Sequence, residues 1–223
     1  MSLSESIVNE YSQLPRRRLP RNERERLIVE EAIRFFAEVG FEGQTRALAN
    51  RLGVTQPLLY RYFPDKDALI DRVYAEVFVG GWESGWSKLL ADRSRPLKDR
   101  LVDLYMSYTQ ANFSYERVRL FMFASLKDRE IANRYLGFIR ETLFVPLVRE
   151  IRHEARLNCE RPVSELEIEC VAGLHGAIGY VGMRRWIYDS QLPAEISKVI
   201  TSLITTFLQG APSAFAALEG SEN

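Results

Sequence analysis

The sequence predicts an all-α protein, with an N-terminal three-helix domain that holds a helix-turn-helix and a larger C-terminal helical bundle after it. Three observations predict this. Apolar residues recur at mixed spacings of three and four from about Asn22 to Gln209, strand signals are almost absent, and glycine and proline cut the first third into very short helical runs. A chain of 223 residues is long enough for one large or two small domains with a sizeable buried core.

Up to Arg21 the pattern is aperiodic and interrupted by Pro15 and Pro20, which predicts a flexible arm. The first helix is expected from Asn22, with Asn22 and Glu25 as a capping box and Ile28, Ala32, Phe35, Phe36 and Val39 on its apolar stripe until Gly40. Thr45 is expected to cap a second, short helix with Leu48, Ala49 and Leu52 inward, ended by Gly53. Thr55 caps a third; Pro57 is tolerated in its first turn and Pro64 closes it after Phe63. Asp65 caps a fourth, running through Leu69, Val73 and Val77. Further helices are expected over 96–112, 115–127, 130–157, 164–188 and 194–209, with Pro146 kinking the third of these. The expected division is an arm over 1–21, a helix-turn-helix domain over 22–75, a helical bundle over 76–210 and a frayed tail over 211–223.

Acidic and basic side chains balance at 30 each, so net charge decides nothing about partners, but placement is uneven. Arg16, Arg17, Arg18, Arg21, Arg24 and Arg26 meet only Glu23 and Glu25 nearby, which puts a basic excess at the N-terminal end. Cys159 and Cys170 lack metal or redox spacing and imply reduced thiols. The first residues have no apolar core for a signal peptide, and the run Cys170 to Met183 is too short to span a bilayer, so a cytoplasmic location is expected.

In the third helix Leu59 and Phe63 lie one turn apart and share an inward face, leaving Gln56, Pro57, Tyr60 and Arg61 outward. Such a face suits DNA. Glutamine pairs bidentately with adenine and arginine with guanine in the major groove, a tyrosine hydroxyl reaches phosphate, and Leu58 can meet a thymine methyl. Arg46 and Lys66 each fall in the first turn of a helix, where the macrodipole disfavours a cation by roughly 0.3–1 kcal/mol and a bound phosphate would offset that cost.

The run "EVGFEGQTRALANRLGVTQPLLYRYFPDKDALID", Glu38 to Asp71, resembles the N-terminal domain of the TetR family, the tetracycline-repressor-like regulators. The pattern is carried by Thr45, Leu48, Ala49, Leu52, Gly53, Val54, Leu59, Tyr60, Phe63, Lys66 and Leu69. The resemblance implies backbone contacts to double-stranded DNA from Thr45, Arg46, Tyr60, Tyr62 and Lys66, base-facing positions at Gln56, Pro57, Leu58 and Arg61, and a place for Thr55 at the same surface. Pro57 stands where glycine is frequent and Tyr62 where histidine is common, so base preference does not transfer.

For the C-terminal part the resemblance implies binding of a small-molecule effector and homodimerisation through the last two long helices. Gly173, Gly176, Gly179 and Gly182 recur every third residue, each costing about 1 kcal/mol against alanine in a helix, which predicts close approach of a neighbouring helix, in the same subunit or across a two-fold axis, with a ligand as the alternative. A largely apolar or aromatic effector is expected against Tyr105, Tyr108, Phe121, Met122, Tyr135, His175 and Tyr180. No catalytic residue, metal ligand or cofactor is expected: His153 and His175 are far apart in sequence and no nucleophile or phosphate-loop motif is present. The resulting expectation is a ligand-responsive repressor binding a pseudo-palindromic operator as a dimer, with the fourth helix carrying the switch. The alternative is a helical binding protein or bundle enzyme without specific DNA binding.

Overall fold

The structure, a computed structural model, describes residues 20–79, 85–127 and 129–221. The arginine-rich arm expected before Arg21 lies almost wholly outside them. The described residues form helices and no strands. In the N-terminal part these are α1 (Arg21–Val39), α2 (Thr45–Arg51), α3 (Gln56–Tyr60) and α4 (Lys66–Tyr74), the last prolonged by a π-helical turn, Ala75–Val79. The bundle holds α5 (Gly85–Ala91), α6 (Leu97–Asn112), α7 (Tyr115–Lys127) and α8 (Arg129–Ile139). A second π-helical turn, Arg140–Phe144, leads into α9 (Val145–Glu154), followed by α10 (Glu165–Trp186) and α11 (Ile196–Ser221).

Two apolar cores result. The first gathers Ile28, Phe35 and Phe36 of α1, Leu48 of α2, Leu59 and Phe63, and Leu69 and Val73 of α4. It is completed from outside: Leu120 and Ala124 of α7 are both within it. The second core is the bundle itself, from Trp86 and Leu90 through Leu101, Leu147 and Ile178 to Phe215. The helix α7 therefore belongs to both halves of the molecule.

Several local expectations are corrected. Helix α1 starts at Arg21 after an extended Pro20 and has no side-chain cap, because Asn22 already lies inside its first turn. The capping box forms instead at Ser164 and Glu167, ahead of α10. Thr45 is the first residue of α2 rather than its cap; Gln44 holds the cap position. Thr55 does occupy the cap position of α3, without a side-chain bond. Asp65 caps α4, its Oδ1 accepting from Ala68 N at 2.7 Å. The single helix expected over 130–157 is divided by the π-helical turn just before Pro146. The extra residue in that turn makes room for a proline ring and spares one helical donor, as π-bulges do.

The expected tail over 211–223 is also corrected, since α11 continues through Pro212 to Ser221. Ala211 and Phe215 are buried in the bundle core, and that burial offsets the proline's cost. Among the described residues, the stretch Ile196–Gly220 of this helix, and not the run from Cys170, is long and apolar enough to cross a membrane by length and composition. It packs against α6 and α10, with Ile200 and Ile204 fully buried.

Two buried ion pairs tie the bundle. Arg152 and Glu167 meet at 2.6 Å with neither side chain more than 1% exposed, and Arg100 meets Glu150 at 2.7 Å. Burial pushes both carboxylates up, but their arginine partners, joined at Glu167 by hydrogen bonds from Ser164, together hold them below the usual range.

Candidate functional site

Helices α2 and α3 meet through a tight turn in which Gly53 has a φ of 63°, a left-handed conformation that a side chain resists. The turn places three polar side chains in one hydrogen-bonded group. Thr45 Oγ1 lies 2.9 Å from Tyr60 Oη, and Gln56 Nε2 donates to Thr45 Oγ1 at 2.9 Å and to Tyr60 Oη at 3.4 Å. Thr45 is buried because its hydroxyl is spent on this inter-helix contact, which explains why it does not cap α2.

Behind the turn, Arg51 at the end of α2 bridges two carboxylates of α1, Glu31 at 2.8 Å and Glu38 at 2.6 Å, with Phe35 beneath its guanidinium. The pair of helices is thus held at a fixed angle on α1. Leu59 and Phe63 point into the core as expected.

On the outer face Arg46, Thr55, Pro57, Tyr60 and Arg61 are exposed, while Gln56, Leu58, Tyr62 and Lys66 are half-buried. Two residues sit differently from their expected roles. The amide of Gln56 is turned inward onto Thr45 and must leave those bonds to reach a base edge. The Tyr62 ring packs on the N-terminal core, with the Arg21 guanidinium 5.9 Å from its centroid. Lys66 opens α4 between Asp65 and Asp67, which offset its conflict with the dipole inside the chain. Arg46 has no acidic residue in its turn, so the dipole argument for a bound phosphate applies to Arg46 alone.

A second cluster lies within the bundle, assembled from Tyr105 and Tyr108 of α6, Phe121 of α7, Tyr135 of α8 and His175 of α10. Tyr108 Oη is 2.6 Å from Tyr135 Oη and 3.4 Å from His175 Nε2. The His175 ring stands 5.1 Å from that of Tyr108, 6.0 Å from Tyr105 and 5.4 Å from Phe144, and Phe121 packs edge-on to Tyr135 at 5.0 Å. Burial lowers the His175 pKa from 6.5 to about 4 and raises all three tyrosines, so every ring is neutral in ordinary conditions.

Five of the seven residues expected to meet an effector are brought together here. Met122 makes none of these contacts, and Tyr180 is half exposed, beside Tyr188. Trp86 and Phe144 join the cluster beyond the sequence expectation. Trp86 comes from α5, whose seven residues carry too few apolar repeats to be read, and Phe144 is placed by a π-helical turn that a regular spacing does not reveal.

Three of the four glycines in the α10 row meet no close neighbour among the described residues. A Cβ at Gly173, Gly176 or Gly179 would touch nothing within 4 Å, and only Gly182 is approached, by the Phe113 ring at 3.2 Å. Gly173, at one end of this row, lines a groove of about 770 Å³ between α10 and α11 together with Ala177, Val199, Leu203 and Phe207.

A helix-turn-helix with an exposed polar face, seated on a helical bundle, defines the class of helix-turn-helix DNA-binding regulators. Residues 28–73, the N-terminal domain, match the family described as "Bacterial regulatory proteins, tetR family". No curated protein matches the chain. Among solved structures it is similar to a TetR-like transcriptional regulator from Rhodococcus sp. RHA1, with 19% identity, a TM-score of 0.60 and coverage of 86% of this chain and 100% of that one. It is also similar to a TetR family transcriptional regulator from Pseudomonas syringae pv. tomato str. DC3000, with 20% identity, a TM-score of 0.55 and coverage of 86% and 97%. At these identities the likeness concerns the fold.

Proposed function

We propose that the chain is a ligand-responsive transcriptional repressor of the cytoplasm that binds a pseudo-palindromic operator as a homodimer and leaves it when a small molecule enters the Tyr–His cluster. The observation that carries this is the double membership of α7. Leu120 and Ala124 complete the core of the DNA-binding domain, while Phe121 on the same helix packs on Tyr135 of the cluster.

The joint between the two halves is specific. Arg119 of α7 donates through Nε to Ala37 O and through Nη2 to Glu38 O at 3.2 Å, capping the C-terminal end of α1 with a cation where the dipole favours one. The side chain of Glu38 holds Arg51 of α2, so α1's last turn touches both the bundle and the reading helices. Trp186 of α10 reaches the start of α7 as well, donating to Phe113 O at 2.6 Å and packing on Tyr115.

The sequence expectation places the switch in α4. Its buried side chains Leu69, Ile70 and Val73 serve the N-terminal core, and it meets the bundle through a surface pair, Asp67 with Lys127 at 3.4 Å. These contacts favour α7 as the lever. A ligand drives it only through differential affinity for two arrangements of that joint, typically ~1–3 kcal/mol.

Dimerisation is supported by the open glycine row and the groove beside α11, an apolar face with room for a partner helix. One five-residue recognition helix reads few base pairs, and a pair spaced about 34 Å apart reads successive major-groove faces. A reporter gene placed behind the chain's own upstream region tests the reading. Expression of the chain should silence the reporter and Lys66→Ala should restore it; a reporter indifferent to both would reject a repressor at that site.

A further inference from the structure

The Tyr–His cluster constrains the chemistry of the effector proposed to enter it, and the inference rests on that proposal. Its polar atoms do not close on one another. Tyr108 Oη sits between Tyr135 Oη and His175 Nε2, but Tyr105 Oη, on a fully buried side chain, and His175 Nδ1 have no hydrogen-bond partner among the described residues. Buried hydroxyls and ring nitrogens are nearly always paired, so two orphans in one cluster mark bonds left for something else to make. His175 is half-buried as a residue, while its ring nitrogen Nδ1 is enclosed.

The direction of the hydrogen-bond chain narrows the choice. If the proton of Tyr108 goes to His175 Nε2, Nδ1 carries a hydrogen and is an unused donor. If Tyr108 gives its proton to Tyr135, Nε2 donates to Tyr108 and Nδ1 is a bare acceptor. A hydroxyl on the incoming molecule both donates and accepts, so it meets either tautomer and also suits Tyr105 Oη.

Charge narrows it further. The rings that face the cluster, Trp86, Tyr108, Phe121, Tyr135, Phe144 and His175, are all neutral. Of the arginines on the surrounding elements, Arg100 is engaged with Glu150 and Leu90 O, Arg119 with the end of α1 and Arg140 with Glu165, while Arg134, next to Tyr135, is exposed. Arg117, one turn before Phe121, makes no hydrogen bond to any of the cluster's polar atoms. A carboxylate here would be desolvated without a counter-charge. We infer that the effector is an uncharged, ring-bearing molecule that presents hydroxyl to the orphaned Tyr105 Oη and His175 Nδ1, and not an organic anion.

Calorimetric titration of the full chain with matched probes tests this, using 2-naphthol, 2-naphthoate and naphthalene and the corresponding one-ring and three-ring sets. Neutral hydroxylated probes should bind at least ~10-fold tighter than their carboxylates, and Tyr105→Phe should cost them about 5- to 10-fold while leaving the unsubstituted hydrocarbons unchanged. Carboxylates that bind as tightly, and lose that binding in Arg117→Gln, overturn the inferred class while leaving the cluster as effector site. Binding that ignores Tyr105→Phe, or no binding by any probe while the chain still binds DNA, overturns the class and the site assignment together.

Discussion

Thr45, Gln56 and Tyr60 show how one side chain can serve two ends. All three stand on the face expected to meet DNA, yet in the free chain they are spent on one another. Thr45→Val keeps the shape and removes the hydroxyl that both partners use. It should lower stability by about 1 kcal/mol, read as a shifted urea midpoint, and loosen α3 on α2. A midpoint equal to that of the unaltered chain would show the group to be decorative. His175 offers a second test through pH. Its folded pKa of about 4 lies below the 6.5 of an ordinary histidine, so between those values the unfolded chain binds a proton that the folded chain refuses. Stability from this group is complete above pH ~6.5 and falls as pH drops towards ~4, by up to roughly 3 kcal/mol, and His175→Phe should flatten that part of the profile. Glu150 and Glu167 act lower: held below the ordinary 4.5, they withdraw stability only under that value. At this scale the inward pair Leu59 and Phe63 was legible from spacing, because one helical turn fixes their common face. The inward fold of Gln56 was not, because its partner is eleven residues away and belongs to another helix.

At the scale of elements, α7 matters most. Its bounds, Tyr115–Lys127, are legible in the sequence, but its double role is not. Apolar positions on a helix say that it is covered, not by which domain. Arg119→Ala should therefore change what no contact with DNA or effector would predict: operator affinity should fall several-fold, and the effector's influence on it should shrink by about 1 kcal/mol of coupling. Unchanged coupling in a folded Arg119→Ala chain would move the lever elsewhere. Helix α11 holds the opposite lesson. Pro212 and the small residues after it read as a tail, whereas the structure seats Phe215 fully inside the bundle. Phe215→Ala should cost about 3–5 kcal/mol, and a loss under about 1 kcal/mol would mean the last turns are detached in solution. The π-helical turns escape sequence reading for a physical reason: each shifts the register by one residue, and periodicity sees only the average.

For the whole molecule, an N-terminal domain whose core is completed by the bundle cannot be moved independently of it, which suits a reading head governed by a pocket. The balanced total charge means that affinity for DNA must come from a few placed cations and from readout, not from a general field. Arg46 and Lys66 are the cations proposed for this, and Lys66→Ala should weaken every duplex alike and reduce the salt slope by about 1. The most direct test is to titrate the full chain into labelled duplexes of its own upstream region and of a shuffled control, at two salt concentrations. The account predicts a preference of ~10³ or more for the native duplex that survives added salt. Equal binding to both duplexes, collapsing together as salt is raised, would contradict it.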